Sequence, residues 1–138
     1  MQYGVIGNCK SAALIDRRGT VVWCCLPDFD SASVFASLLD EARGGHFGIE
    51  VGAEYTVTQA YVPNTNVLRT VFESPCGGFE LIDLMPRHKE NGHYYAPPEL
   101  LRYLRRTHGA PVFTVRYRPR LGYARHETLS RSHEGYIK

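Results

Sequence analysis

The chain has 138 residues, 43% hydrophobic and 22% charged, which suits one globular domain with a real core and excludes intrinsic disorder. No run approaches the ~20 apolar residues of a membrane span. Asn8 and Lys10 interrupt the stretch where a signal peptide would need its apolar centre, so a cytoplasmic location is expected. The net charge of +2 hides an imbalance: residues 99–138 carry nine Lys/Arg against three Glu, which leaves the first 98 residues at −4. Such a split marks a face for nucleic acid or an acidic partner, or a molecule of which a neighbouring part is absent.

In chain order, short alternating runs broken by Gly, Pro and Asn predict about eight antiparallel strands. "SAALID" and "TVVWCC" flank "RRG", where Gly19 can supply the left-handed residue of a tight hairpin. In "DSASVFASLLDEA", Asp30 or Ser31 can cap a short helix whose stripe is Val34, Phe35, Leu38 and Leu39, so a helix is expected near residues 31–39. "HFGIEV", "EYTVTQAYV", "TNVLRTVFES" and "FELIDLM" read as strands, with "PCGG" as a turn. "HKENGHYYAPP", residues 88–98, is expected to be the longest loop. "PPELLRYLRRTHG" has helical spacing, with Gly109 as a possible C-cap, and its period alone leaves helix and strand both open. In "VFTVRYRPR", Phe113, Val115 and Tyr117 alternate with Thr114, Arg116 and Arg118, a strand with one solvated face.

Candidate chemistry concentrates in "WCCLPDFDSASVF". Zinc sites pair ligands close in sequence, and the six histidines are scattered with no C-x-x-C or H-x-x-x-H. No metal site and no cofactor are expected. Cys24 and Cys25, consecutive in a strand, should point to opposite faces. With Cys9 and Cys76 they read as reduced thiols, since two are adjacent and no N-x-S/T acceptor occurs. Asp28 and Asp30 would share a face roughly 6.6 Å apart in an extended run, a separation glycosidases use. One face of one strand cannot flank a sugar from both sides, so Asp30 reads as a cap and no catalytic residue is assigned. G-x-S-x-G and G-x-x-x-x-G-K are both missing from the sequence. The Arg/Tyr interleaving after residue 101 can stack and bind single-stranded nucleic acid, or form a solvated face; the second reading is preferred and no nucleic-acid partner is expected.

Several stretches together resemble the opening of bacterial and archaeal glycoside hydrolase family 15 enzymes, the glucoamylase and trehalase-like hydrolases. "YGVIGNCKSAALIDRRGTVVWCCLPDFDSASVFASLLD" is similar to G-x-I-G-N/D-x-x-S/T-A-A-L-V/I, a Gly turn and W-x-C-x-P-R-F-D-S-x-x-x-F. "YVPNTNVLRTVF", "IDLMP" and "RPRLGYAR" resemble Y-x-P-x-T-N-V-L-x-T-x-F, D-F/L-M-P and P-R-F-D-Y-G-R, in the same order. The resemblance implies a mainly β, antiparallel β-sandwich, residues 1–138 forming one N-terminal domain or an incomplete half of a larger sandwich. The family's catalytic (α/α)6 barrel, with its general-acid and general-base glutamates, would be the partner and has no counterpart in the chain. The resemblance also favours a strand at "ELLRYLRRTHG". Three positions depart from it: Asp28 replaces Arg, and Gly122 and Ala124 replace Asp and Gly.

The expectation is a non-catalytic module of an enzyme that hydrolyses α-glucosidic bonds. Pro27, Asp28, Phe29, Asp30 and Ser31 would form a loop facing the barrel and helping to shape its substrate mouth, and Trp23 and Cys25 would be core residues. An open sheet edge would invite self-association. A different reading is a free-standing carbohydrate-binding module in which Tyr94, Tyr95 or Tyr103 stack on an α-glucoside.

Overall fold

A computed structural model describes residues 2–138. The first strands are β1 (Tyr3–Gly7), β2 (Ala12–Asp16), β3 (Val21–Cys25), β4 (Ser33–Phe35) and β5 (His46–Glu50). β6 (Thr56–Tyr61), β7 (Leu68–Ser74) and β8 (Gly77–Leu84) follow, then the short pair β9 (His88–Glu90) and β10 (His93–Tyr95). β11 (Leu101–Gly109) and β12 (Thr114–Arg118) precede a 3-10 turn at Leu121–Ala124 and the terminal pair β13 (Ser132–His133) and β14 (Tyr136–Ile137). Sheet one runs β1-β2-β3-β5-β12, with β4 also on β3; sheet two runs β11-β8-β7-β6. All pairings are antiparallel, so the expected sandwich-like β architecture is what forms.

The alternation in the strands builds the interior. Ile6, Ala13, Ile15, Val21, Cys24 and Phe35 from sheet one meet Leu68 of sheet two and Met85 just beyond β8. Ile49 of β5 meets Phe72, Phe79 and Leu81, with the Phe72 and Phe79 rings stacked at 4.5 Å. Burying each large apolar side chain contributes about 1.5–3 kcal/mol. Polar side chains also cross the layer. Gln59 donates to the Asp16 carbonyl at 2.9 Å and to Thr70 Oγ1 at 3.0 Å. Arg102 of β11 grips Asp83 through Nε–Oδ1 at 2.7 Å and Nη2–Oδ2 at 3.1 Å. The same guanidinium donates to the carbonyls of Phe47 and Gly19 on sheet one.

The two long sides of the sandwich differ. On one, the Tyr61 hydroxyl accepts from the Val5 N–H at 2.7 Å and donates to its carbonyl at 2.8 Å, fastening β6 to β1. On the other, Tyr117 packs edge-on against Phe47 and Phe113 tilts against Phe79. Phe113, Val115 and Tyr117 nevertheless stay 36%, 48% and 42% exposed. These inward positions face a layer that sheet two leaves open.

Four expectations need correction. Residues 31–39 form no helix: Ser33 and Phe35 pair with Cys25 and Cys24 of β3, and Leu38 and Leu39 are exposed. A helix this short is marginal alone, whereas β3 offers ladder partners, and the Ala36 and Ser37 N–H groups donate to Gly44 and Gly45 carbonyls. Asp30 therefore caps nothing; Ser31 Oγ instead accepts from the Asp28 N–H at 3.1 Å. The supposed loop at 88–98 contains the β9–β10 hairpin, turned by Asn91 (φ 49°) and Gly92 (φ 82°) as an Asn-Gly turn favours. Trp23 is half-buried on the outer face of sheet one, paired with Leu14 and 6.2 Å from the Tyr123 ring, because a bulge at Val22 resets the alternation of β3. Residues 101–109 are strand, as the resemblance implied. Gly19 takes φ 77°, and Asp16 Oδ1 accepts from the Arg18 and Thr20 N–H groups around it, both at 2.8 Å.

Candidate functional site

The loops with the densest chemistry meet at one end of the sandwich. Asn8, 1% exposed, organises them. Its Oδ1 accepts from the Lys10 and Ser11 N–H groups at 3.1 and 3.0 Å. Its Nδ2 donates to the carbonyls of Pro97 at 2.9 Å and Pro86 at 3.3 Å. A side chain with both donors and acceptors lets one residue hold three loops. Ser11 Oγ donates to the Cys25 carbonyl, and Asn66 Nδ2 to the Gly7 carbonyl, so the β1–β2, β3–β4 and β6–β7 connections become one surface.

The five residues singled out from sequence lie on this surface. Pro27 follows a cis peptide bond and is exposed. The Asp28 carboxylate is 3.4 Å from Lys10 Nζ, and the Phe29 N–H donates to the Lys10 carbonyl at 3.0 Å. The Phe29 ring is 61% exposed. Asp30 is exposed and, among the described residues, joins no ion pair. Ser31 holds the turn through Asp28, as above.

Beside this loop stands the β9–β10 hairpin. Arg87 lies 4.7 Å and Lys89 5.5 Å from the Tyr94 ring centre, and His88 stacks on Tyr95 at 5.3 Å. Lys10, His88, Tyr94, Tyr95, Ala96 and Pro97 enclose about 420 Å³. Tyr94 and Tyr95 are thus neighbours, while Tyr103 sits apart on β11. Sequence reasoning missed Asn8 and Arg87. The Asn-Gly pair at 91–92 was the legible signal for the hairpin; the local turn of Asn8 through Lys10 and Ser11 fits the N/D position of the resembled pattern, whereas its links to Pro86 and Pro97, 78 and 89 residues away, left no local signal.

The thiols divide by burial. Cys24 is pushed up to about 12, first by burial and then by neighbouring Cys25. Burial raises Cys25 against the pull of the Tyr123 hydroxyl. Cys9, with φ 69°, is exposed and accepts from Arg87 Nη1 at 3.5 Å. Among the described residues no three His, Cys, Asp or Glu side chains gather as a metal-binding group, and no helix is long and apolar enough to cross a membrane.

The chain is similar to several curated proteins. It is 31% identical to a trehalase of Thermoplasma volcanium over 98% of this chain and 22% of that one. It is 48% identical to trehalase 1 of Sulfolobus acidocaldarius over 60% of this chain and 14% of the relative. A trehalase of Mycolicibacterium smegmatis is 34% identical over 54% of this chain and 11% of its own length. The chain therefore spans less than a quarter of these relatives. No solved structure matches it. The family described as "Trehalase-like, N-terminal" matches residues 2–136, and with the β-sandwich that those residues build, the chain belongs to the trehalase-like N-terminal family.

Proposed function

We propose that the chain is the non-catalytic β-sandwich module of an enzyme that hydrolyses α-glucosidic bonds, trehalose among them, and that it packs on a C-terminal (α/α)6 catalytic domain in the parent protein. The observation that carries this reading is the family match over residues 2–136, with 98% of the chain aligning to only 22% of a relative named trehalase. The Asn8-centred end is the docking surface in this reading. Phe29 is the apolar contact there, and Pro27, Asp28, Asp30 and Ser31 shape the rim of the substrate mouth. Lys10 neutralises Asp28, which lets that part of the rim approach another surface without an unpaired charge.

Asp30→Ala in the full-length enzyme tests the site role. Asp30 is exposed and caps no helix, so the melting temperature should stay unchanged while turnover of trehalose falls. A lowered melting temperature with unchanged turnover would make Asp30 a structural residue and remove the loop from the mouth. The 138-residue chain alone should release no glucose from trehalose or maltose; glucose release by the purified chain would overturn the proposal.

A further inference from the structure

The outer face of sheet one carries a hollow that the docking surface does not use. It encloses about 620 Å³, with Tyr3, Arg18, Leu38, Glu41, His46 and Gly48 among its lining. That volume falls inside the roughly 300–1,000 Å³ range of small-molecule sites. The sheet produces it by omission. His46, Gly48 and Glu50 alternate on the outer side of β5, and Gly48 lies opposite Arg116 of β12, so a strand position without a side chain forms the floor. A Cβ there would come within 3.1 Å of Thr20 Oγ1. One wall is built by the 37–44 loop, held to the sheet by the Leu38 N–H, which donates to the Val22 carbonyl at 3.0 Å. Tyr3, Asp16 and Arg18 form the wall opposite.

The chemistry of the lining selects the ligand class. Glu50 is paired with Arg116 at 2.9 Å, and Asp16 Oδ1 is occupied by two turn amides. Among the described residues, the side chains of Arg18, Glu41 and His46 meet no hydrogen-bond or ion-pair partner. Carboxylates and cations are interleaved, so neither an anion nor a metal ion finds a one-sign field. A neutral polyol does find what it needs, because each hydroxyl both donates and accepts. Val22, Leu38 and the rim ring of Tyr3, 36% exposed, offer apolar surface for the C–H faces of a sugar. We infer that this hollow is a saccharide-binding site for a neutral disaccharide, separate from Tyr94 and Tyr95 and from the Asn8-centred end. The lining selects a neutral polyol, and the choice of a disaccharide rests on the proposed function.

The test is an amide-shift titration of the ¹⁵N-labelled chain with trehalose and, separately, maltose. Shifts confined to Val22, Glu41, Gly48 and their neighbours are expected. Glu41→Ala, in an exposed loop, should weaken binding about tenfold with the spectrum otherwise native, equivalent to the loss of one charge-assisted hydrogen bond. Gly48→Leu should abolish binding by filling the floor, and Tyr94→Ala should leave it unchanged. No shift at the hollow up to about 100 mM sugar, roughly a hundredfold above a millimolar Kd, would overturn the inference. So would shifts centred on Tyr94 and Tyr95, or binding indifferent to Glu41→Ala.

Discussion

Ala124 stands where the resembled pattern has glycine, and the backbone shows what that replacement costs. Gly122, Tyr123 and Ala124 take φ values of 64°, 60° and 56°, three successive residues in the left-handed region that side chains disfavour. Ala124→Gly should raise stability by about 0.5–1 kcal/mol, measured by urea unfolding, because relief of this strain outweighs the added freedom of the unfolded chain. The thiols make a second prediction at this scale. Exposed Cys9 and Cys76 should react with iodoacetamide in the native protein. Cys24, pushed up to about 12, and Cys25, raised by burial, should react only after denaturation, since the thiolate is the nucleophile. Mass spectrometry of the labelled protein counts them, and native labelling of all four would mean that the Cys24 layer opens.

At the scale of elements, β11 is joined to the sandwich by an ion pair placed in its interior. Arg102 is 4% and Asp83 0% exposed at the side chain. Removing one partner of such a pair leaves a charge buried, which typically costs about 3–5 kcal/mol. Arg102→Met should therefore destabilise the protein by that order in thermal or chemical unfolding, with the Asp83→Leu/Arg102→Met pair recovering much of it. Burial raises the Asp83 carboxyl, and the Arg102 guanidinium pulls it down; without Arg102 it rises further. A carboxyl raised in the folded state binds its proton more tightly there than when unfolded, so its penalty is absent below the ordinary value of 3.8 and grows as pH rises through the folded value. The deficit of Arg102→Met should be largest at neutral pH and shrink in acid.

For the whole molecule, the open side between β11 and β12 is the structural counterpart of the charge imbalance read from residues 99–138. Phe113, Val115 and Tyr117 point inward yet remain well exposed, and Arg105, Arg106, Arg116 and Arg118 surround them on the two strands. An unpaired edge with apolar residues behind it is a template for strand addition. In the isolated chain this side is where a second copy would add. Sedimentation velocity should show concentration-dependent association that Val115→Lys abolishes. A monomer at all concentrations would overturn the expected self-association, because arginines facing arginines across a symmetric pairing would then outweigh the apolar gain.

Much of this architecture is legible in one dimension because strand alternation and turn chemistry are local. Phe113, Val115 and Tyr117 announce their face, Gly19 its turn, and Asn91-Gly92 a hairpin that the polar run around it concealed. The segment "SVFASLL" has apolar spacing that fits a helix as well as a strand; tertiary structure decided between them, since β3 supplied ladder partners that a lone helix turn cannot match. Asn8, Arg102 and the hollow over Gly48 exist only once distant segments meet, because hydrogen-bond partners 55–89 residues apart leave no local trace. The places of the strands along the chain follow from the sequence's own periods, while their order in the sheets and the sites depend on which strands, loops and faces folding brings together.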